Sequence, residues 1–434
     1  MKTQKYRLLT IALAITLMMF ISIAPSVSAE SNKVEYVPMD ECLQQVDIVT
    51  YQESNVEVSD AITKYDMLTI DAKAFKRNAD TGKINIHLAG DEFNINLDPI
   101  VWVNKDLKEY YNDENGDIKE RKMDPIYQYT GHVVGYPDSI VCFTLDNKVV
   151  LGWIEVDGER YIIEQCGWIA DKNTKKVTYA VYKDSDVVYS GPAPSEDDIM
   201  AFENDVMAGA IGIELVPEIA DRTIGTRSTS VYVLAAYDTE FSNKYSSPGT
   251  EIYNMFSQTK TAFSKSYVGV NLVLDGYYYM NSLTSTGSSD LLGEFKSEVS
   301  SHRNSEDSDL AFLYTGKNLD GSYIGRSTGY NNGNPTYAYA LGQMRTGGIS
   351  TYQATFSQRC VLTAHELGHN FDATHGEAAT WTDGMVTYYT AMRSPFEGTM
   401  RLDFSTTDPS GHGDILHNNA GRIVSTKSIV ASYQ

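Results

Sequence analysis

The chain has 434 residues, of which 42% are hydrophobic, so its composition excludes a largely disordered protein and its length suggests roughly two or three domains. A formal net charge of −22 at pH 7 excludes nucleic acid as a partner, because phosphate binding requires a basic surface. The four cysteines are too few for a disulfide scaffold in a chain of this length.

The N-terminus has the three-part pattern of a secretory signal peptide. Basic residues precede an apolar run at 8–23, and small residues at 27–29 offer a cleavage site. We therefore expect residues 1–29 to be removed, leaving a secreted protein with no membrane association. The alternative is an uncleaved anchor, which the short apolar run disfavours, because a membrane-spanning helix needs about 20 residues.

Residues 30–190 are predicted to form a β-rich domain without a catalytic constellation. In residues 83–97, apolar and polar side chains alternate on both sides of an Ala-Gly-Asp turn, which is the pattern of a β-hairpin. A second hairpin is predicted over residues 149–163, around the turn Asp157-Gly158.

Residues 191–228 are predicted to be a linker. They begin with GPAPSEDD and end with DRTIGTRSTS, a composition that leaves the backbone poorly buried and open to proteolysis. Arg222 and Arg227 make this segment cleavable by proteases that cut after basic residues.

Strands and helices alternate over residues 229–434. Apolar strands are predicted at 230–238, 268–279 and 309–316, and an amphipathic helix at 249–267. Strand–helix–strand order predicts an α/β sheet domain. The fold class of the whole chain is therefore α+β, with a β-rich N-terminal domain followed by an α/β domain.

The segment TAHELGHNFDATHG, residues 363–376, carries the candidate chemistry. On an α-helix each residue turns about 100°, so His365, Glu366 and His369 fall within about a quarter-turn of one face. Two imidazoles four residues apart reach one metal ion. His375 can join them only if the helix ends near Phe371 and the chain doubles back.

Three neutral histidines and a water give a catalytic zinc site with an open position, rather than a closed structural site. Zinc acidifies its water, and Glu366 is placed to act as the general base when that water attacks a peptide carbonyl. The alternative, a His pair on a solvated helix surface, is disfavoured by the third histidine. The other five histidines are interpreted as surface or capping residues: His87, His132, His302, His412 and His417.

The spacing of this motif resembles that of the metzincin zinc peptidases, and HELGHNF resembles the adamalysin/reprolysin (ADAM-like, M12B-type) branch. The resemblance implies a twisted mixed sheet with an active-site helix, and a methionine in a tight turn beneath the zinc. Met392 is predicted to be that methionine, with Met385 and Met400 as alternatives. The family's usual glycine at the turn is Asp372 here, a residue type that tolerates left-handed backbone.

Upstream, YTGHVVGYPDSIVCF and the residues after it resemble the reprolysin propeptide. The resemblance implies a zymogen whose own prodomain acts as an intramolecular inhibitor. The family's cysteine switch is in doubt, because Cys166 falls too early and no cysteine lies between it and Cys360. We expect the shape of the prodomain, or a carboxylate, to block the site instead.

The sequence therefore predicts a secreted zinc metalloendopeptidase that acts on peptide or protein substrates. Two alternatives remain open. One is a catalytically degenerate secreted binding or adhesion protein on the same fold, and the other is a narrow processing peptidase for one envelope protein. A structural Ca²⁺ ion, held for example by Glu240, is a further possibility to test.

Overall fold

Alternating apolar side chains turn the N-terminal part of the chain into a sheet. In the strand Lys83–Leu88 every second side chain is buried, and the strand Asp91–Leu97 pairs with it as the predicted hairpin. The second predicted hairpin is also present, and both of its turn residues, Asp157 and Gly158, have positive φ angles. Both hairpin predictions are confirmed.

The computed structural model describes residues 35–47, 51, 53–171, 174–188, 228–321, 323–345, 354–394 and 399–433. The predicted signal peptide, and the predicted linker except for its last residue, lie outside these residues. Among the helices that are described, none has the length and apolar content needed to cross a membrane.

The N-terminal part contains fourteen strands and one α-helix within its described residues. In chain order these are β1 (Val37–Pro38), β2 (Leu43–Gln45), β3 (Glu53–Val56), β4 (Asp66–Ile70), α1 (Ala72–Ala79), β5 (Lys83–Leu88), β6 (Asp91–Leu97), β7 (Val101–Trp102), β8 (Glu109–Asn112), β9 (Ile118–Arg121), β10 (Tyr127–Val133), β11 (Ile140–Leu145), β12 (Val150–Val156), β13 (Glu159–Asp171) and β14 (Thr174–Lys183).

The C-terminal part alternates strands and helices, as its sequence predicts. Its elements are β15 (Thr229–Asp238), α2 (Thr239–Lys244), α3 (Pro248–Lys265), β16 (Val270–Met280), α4 (Ser288–Ser305), β17 (Leu310–Thr315), β18 (Gly325–Ser327), β19 (Tyr339–Gln343), α5 (Phe356–Asn370), β20 (Thr380–Asp383), β21 (Val386–Tyr389), β22 (Thr399–Met400) and α6 (Asn419–Val430).

Two sheets account for most of these strands. The first has the order β1-β5-β6-β10-β11-β12-β13-β14-β4-β2, with β3 paired to β13 and β7 to β10. The second has the order β18-β19-β17-β15-β16-β8-β9 and is mixed, because β18 is antiparallel to β19 while β15, β16, β17 and β19 pair in parallel. Two strands of the N-terminal part, β8 and β9, therefore extend the sheet of the C-terminal part.

Residues Val37–Gln434 form one compact unit. One hydrophobic core combines side chains of the first sheet, such as Trp153 and Ile162, with Phe256 and Phe263 of α3. The C-terminal α/β arrangement agrees with the sequence, whereas the boundary between a domain at 30–190 and a domain at 229–434 stays a prediction.

Candidate metal centre

Helix α5 positions the first two candidate ligands. It begins after Thr355, whose hydroxyl accepts a hydrogen bond from the backbone N–H of Gln358 (3.4 Å), and it packs on α3 and β19. It ends at Asn370 with Phe371 as its C-cap, where the spacing of the histidines requires the chain to turn. Asp372 then takes a φ angle of 70°, so the position does need a residue that tolerates left-handed backbone.

The three histidines of the motif converge on one point. Nε2 of His365 lies 3.0 Å from Nε2 of His375, and Nε2 of His369 lies 3.1 Å and 3.2 Å from these two atoms. Two ligands of a tetrahedral zinc ion lie about 3.3 Å apart when each bond is about 2.0–2.1 Å long. The trio therefore fits a zinc ion, and its ligand atoms are close enough together to hold one metal.

Backbone carbonyls fix which ring nitrogen of each helix histidine carries the proton. Nδ1 of His365 donates to the carbonyl of Ala391 (2.8 Å), and Nδ1 of His369 donates to that of Ala373 (2.8 Å). Each Nε2 is thereby left with its lone pair directed at the common centre. Burial lowers the pKa of His369 to about 3 and that of His375 to about 4, so both rings are neutral ligands at pH 7.

Of the three methionine candidates, Met392 lies against the helix. It is buried, and a Cβ added at Gly368 of α5 would meet its Sδ at 2.7 Å. Met385 is fully exposed, and Met400 is half-buried in β22. The structure thus places Met392 beneath the helix that carries two of the histidines, while its role stays a prediction.

The carboxylate of Glu366 is buried between α5 and the edge strand β18. It faces Gly325, where an added Cβ would lie 2.9 Å from Cδ of Glu366. Gly325 was not singled out from the sequence. A glycine in the segment GSYIGRS carries no signal that links it to Glu366, 41 positions later.

Residues 227–400 match the Reprolysin_5 sequence model, which describes Metallo-peptidase family M12. This region contains the histidine trio, Glu366 and Met392. Over these residues the chain is similar to metallopeptidase family M12.

Two solved structures were also compared. The metalloproteinase-II from Bacteroides fragilis is 10% identical with a TM-score of 0.44, and the match covers 79% of this chain and 90% of that chain. A structure titled as a chaperone-substrate complex is 12% identical with a TM-score of 0.39, and the match covers 79% of this chain but only 44% of that one. No curated protein matches this chain significantly.

Helix α6 holds the turn that carries the third histidine of the trio. Its first residue, Asn419, accepts from the backbone N–H of Thr374 (2.7 Å) and donates to the carbonyl of the same residue (3.0 Å). Arg422 forms ion pairs with Asp372 (2.8 Å) and with Glu377. These bonds connect the residues before and after His375 to one helix, and the side chain of Asp372, whose backbone is left-handed, gains a partner.

A cavity of about 620 Å³ adjoins His375 of the trio. It lies between the residues that follow His375 and the segment 411–417. His412 stacks on Trp381 in its wall, with ring centroids 3.5 Å apart. Its lining also includes Arg393 and His417.

The remaining metal-site hypotheses have less support. Within the described part of the chain, the trio is the only group of three or more His, Cys, Asp or Glu side chains with converging ligand atoms. Glu240 pairs with Lys317 (2.8 Å), and nothing supports a structural Ca²⁺ ion. Cys166 is buried and donates to Thr178, and burial raises the pKa of its thiol to about 12, which disfavours the thiolate that a switch requires.

The interpretation of His302 as a surface or capping residue is wrong. This side chain is buried, and its ring packs against Tyr110 (4.2 Å between ring centroids) and Tyr278 (5.0 Å). Tyr110 lies in β8, and the sequence does not reveal that β8 joins the second sheet. The burial of His302 therefore could not be predicted.

Replacing Gly325 with alanine should lower peptide hydrolysis more than it lowers zinc binding. The new methyl group would overlap the Glu366 carboxylate and force it to move, whereas the histidine trio would be untouched. Hydrolysis rates and zinc content of the purified variant test this. Gly293→Ala in α4 is the matched control, because an added Cβ there meets nothing within 4 Å. Equal rates for the two variants would show that Glu366 does not need this space.

Proposed function

We propose that this protein is a secreted zinc-dependent endopeptidase, made as a zymogen, in which Glu366 acts as the general base. The observation that supports it most is the convergence of three Nε2 atoms, 3.0–3.2 Å apart, on the helix and turn that also carry this buried carboxylate. Secretion rests on the signal-peptide pattern of residues 1–29.

The proposed reaction assigns one task to each group. His365, His369 and His375 would hold zinc through Nε2. When bound, zinc supplies a Lewis acid that polarises the scissile carbonyl and lowers the pKa of a water towards neutrality. Glu366 accepts the proton of the attacking water and delivers it to the leaving amine. Strand β18, at the edge of the second sheet, offers backbone groups to an extended substrate.

A degenerate binding protein on this fold is the weaker alternative. A binding protein does not need three metal ligands and a general base. All four side chains of the motif are nevertheless present, and the three histidine nitrogens converge on one point. Incubating the zinc-loaded protein with a peptide library separates the two functions. Cleavage within peptides supports the endopeptidase, and binding without cleavage supports the alternative.

Latency is proposed from the sequence, and the described contacts of the N-terminal part lie elsewhere. The contacts that residues 37–188 make with the C-terminal part include α2, α3, α4, the start of α5, β15 and β16. None of these described contacts reaches the histidine trio. The zymogen proposal therefore rests on the propeptide resemblance and on the arginines at 222 and 227 in the connecting segment.

Cutting the chain within 191–228 should raise the rate of peptide cleavage several-fold over that of the intact precursor. A segment rich in Pro, Gly and charged residues is the expected first target of limited proteolysis. Peptide-cleavage rates before and after the cut test this, and Cys166→Ser in the uncut chain is the control, which should not activate it. Equal rates before and after the cut would remove the zymogen from the proposal, and activation by Cys166→Ser alone would restore the cysteine switch.

A further inference from the structure

The first turn of the active-site helix is held by carboxylates from the N-terminal part of the chain. Glu164 of β13 accepts a hydrogen bond from the backbone N–H of Phe356 (2.9 Å). Asp184, just after β14, accepts one from the hydroxyl of Ser357 (2.9 Å). The first N–H groups of a helix have no partner within it and carry a partial positive charge, so carboxylates at this end stabilise α5.

A buried arginine makes the same connection stronger. Arg359 of α5 is only 1% exposed, and its guanidinium pairs with Glu164 (3.4 Å) and with Glu251 of α3 (3.1 Å). A buried cation is tolerated when it is paired and hydrogen-bonded. Burial raises the pKa of Glu251, and Glu164 supplies a second carboxylate to the same guanidinium.

The far edge of the catalytic sheet is covered by the N-terminal part as well. Strand β8 pairs in parallel with β16 over Tyr277–Tyr279. Side chains add to this pairing, because Tyr278 donates to Asn112 (2.7 Å) and Tyr110 donates to Glu306 (2.8 Å). Loss of β8 would leave the backbone groups of β16 unpaired, which is a common cause of aggregation.

Apolar packing between the two parts is close. A Cβ added at Gly249, in the first turn of α3, would lie 2.7 Å from Cε of Met123 and 3.7 Å from Cδ1 of Ile126. The hydrophobic core around α3 also contains Trp153 and Ile162 of the first sheet. Separating the two parts would expose these side chains to water at a cost proportional to their apolar area.

We propose that residues 37–188 remain bound to the catalytic region as a non-covalent subunit after the segment between them is cut. The surface formed by α3, the start of α5 and the edge of β16 fits one partner, which is the chain's own N-terminal part. This part supplies a counter-charge to the active-site helix and a strand to the catalytic sheet, so it stays attached whether or not the cut raises the activity. The proposal goes beyond the proposed function and does not depend on peptidase activity.

The full-length chain with Glu366→Gln, which blocks self-digestion, provides the test. A recognition sequence for a specific protease is inserted between residues 195 and 220, and the purified protein is cut there. We expect both fragments to elute from gel filtration at physiological salt as one species of the size of the uncut protein, and to unfold in one thermal transition. Elution of the C-terminal fragment separately from the N-terminal one would overturn the proposal.

A pair of variants tests which contacts hold the fragments together. Glu164→Gln removes the charge that Arg359 and the start of α5 require, and it should raise the Kd of the two fragments by about 100-fold or more. Glu53→Gln changes an exposed carboxylate of β3 and should leave that Kd unchanged. An unchanged Kd for Glu164→Gln would overturn the role assigned to this network. If Glu164→Gln does not fold, Asp184→Asn gives the same comparison at the neighbouring contact.

Discussion

Replacing Glu366 with glutamine is expected to lower the rate of peptide hydrolysis by roughly 100-fold to 10,000-fold, the usual contribution of a general base. Glutamine has the same shape as glutamate but cannot accept the proton of the attacking water. Zinc content should stay the same, because the carboxylate is not among the three converging ligands. Steady-state rates and metal analysis on the same preparation provide the two measurements.

The matched control for this variant is Glu114→Gln, which changes an exposed carboxylate between β8 and β9. It should retain both the rate and the metal. A Glu366→Gln protein that holds zinc and cleaves peptides at close to the unmodified rate would contradict the assigned role. A variant that loses its zinc would show instead that Glu366 supports the metal site.

Removing any one histidine of the trio is expected to weaken zinc binding by more than about 100-fold and to abolish hydrolysis. Loss of a group that only orients a ligand costs 10-fold to 100-fold in affinity, so loss of the ligand itself should cost more. His365→Ala, His369→Ala and His375→Ala each leave two nitrogens, which is fewer than a catalytic zinc site uses. Competition with a chromophoric chelator measures the affinity of each variant.

His417→Ala is the control for these three variants. His417 lines the cavity beside the trio but pairs with Asp414 (2.9 Å) and is not one of the converging ligands. It should bind zinc as tightly as the unmodified protein. Equal zinc affinity in His375→Ala and His417→Ala would show that the third ligand has been assigned wrongly.

The parts of the site that the sequence predicts are those set by local geometry. Helical spacing brings His365 and His369 together, and the six-residue interval to His375 requires the helix to end where it does. The need for left-handed backbone at Asp372 follows from the same turn. Period-two alternation was enough to predict both hairpins, because neighbouring strands joined by a tight turn pair with each other.

Contacts between distant segments were not predictable from these patterns. Arg422 lies 50 positions after Asp372, and Glu164 lies 195 positions before Arg359, yet each pair is an ion pair in the structure. A charged residue has no periodicity that identifies its partner. The place of β8 and β9 in the second sheet was not predictable either. The short parallel pairing of β8 with β16 joins segments far apart in the chain and leaves no local signal.

We propose above all that the histidine trio and Glu366 form a zinc-dependent peptidase site. Its most direct test is peptide-library cleavage by the protein cut within 191–228, measured before chelation, after removal of the metal, and after zinc is restored. We expect internal cleavage that disappears with the metal and returns with zinc. Cleavage that persists without the metal, or no cleavage by the fully zinc-loaded protein, would contradict it.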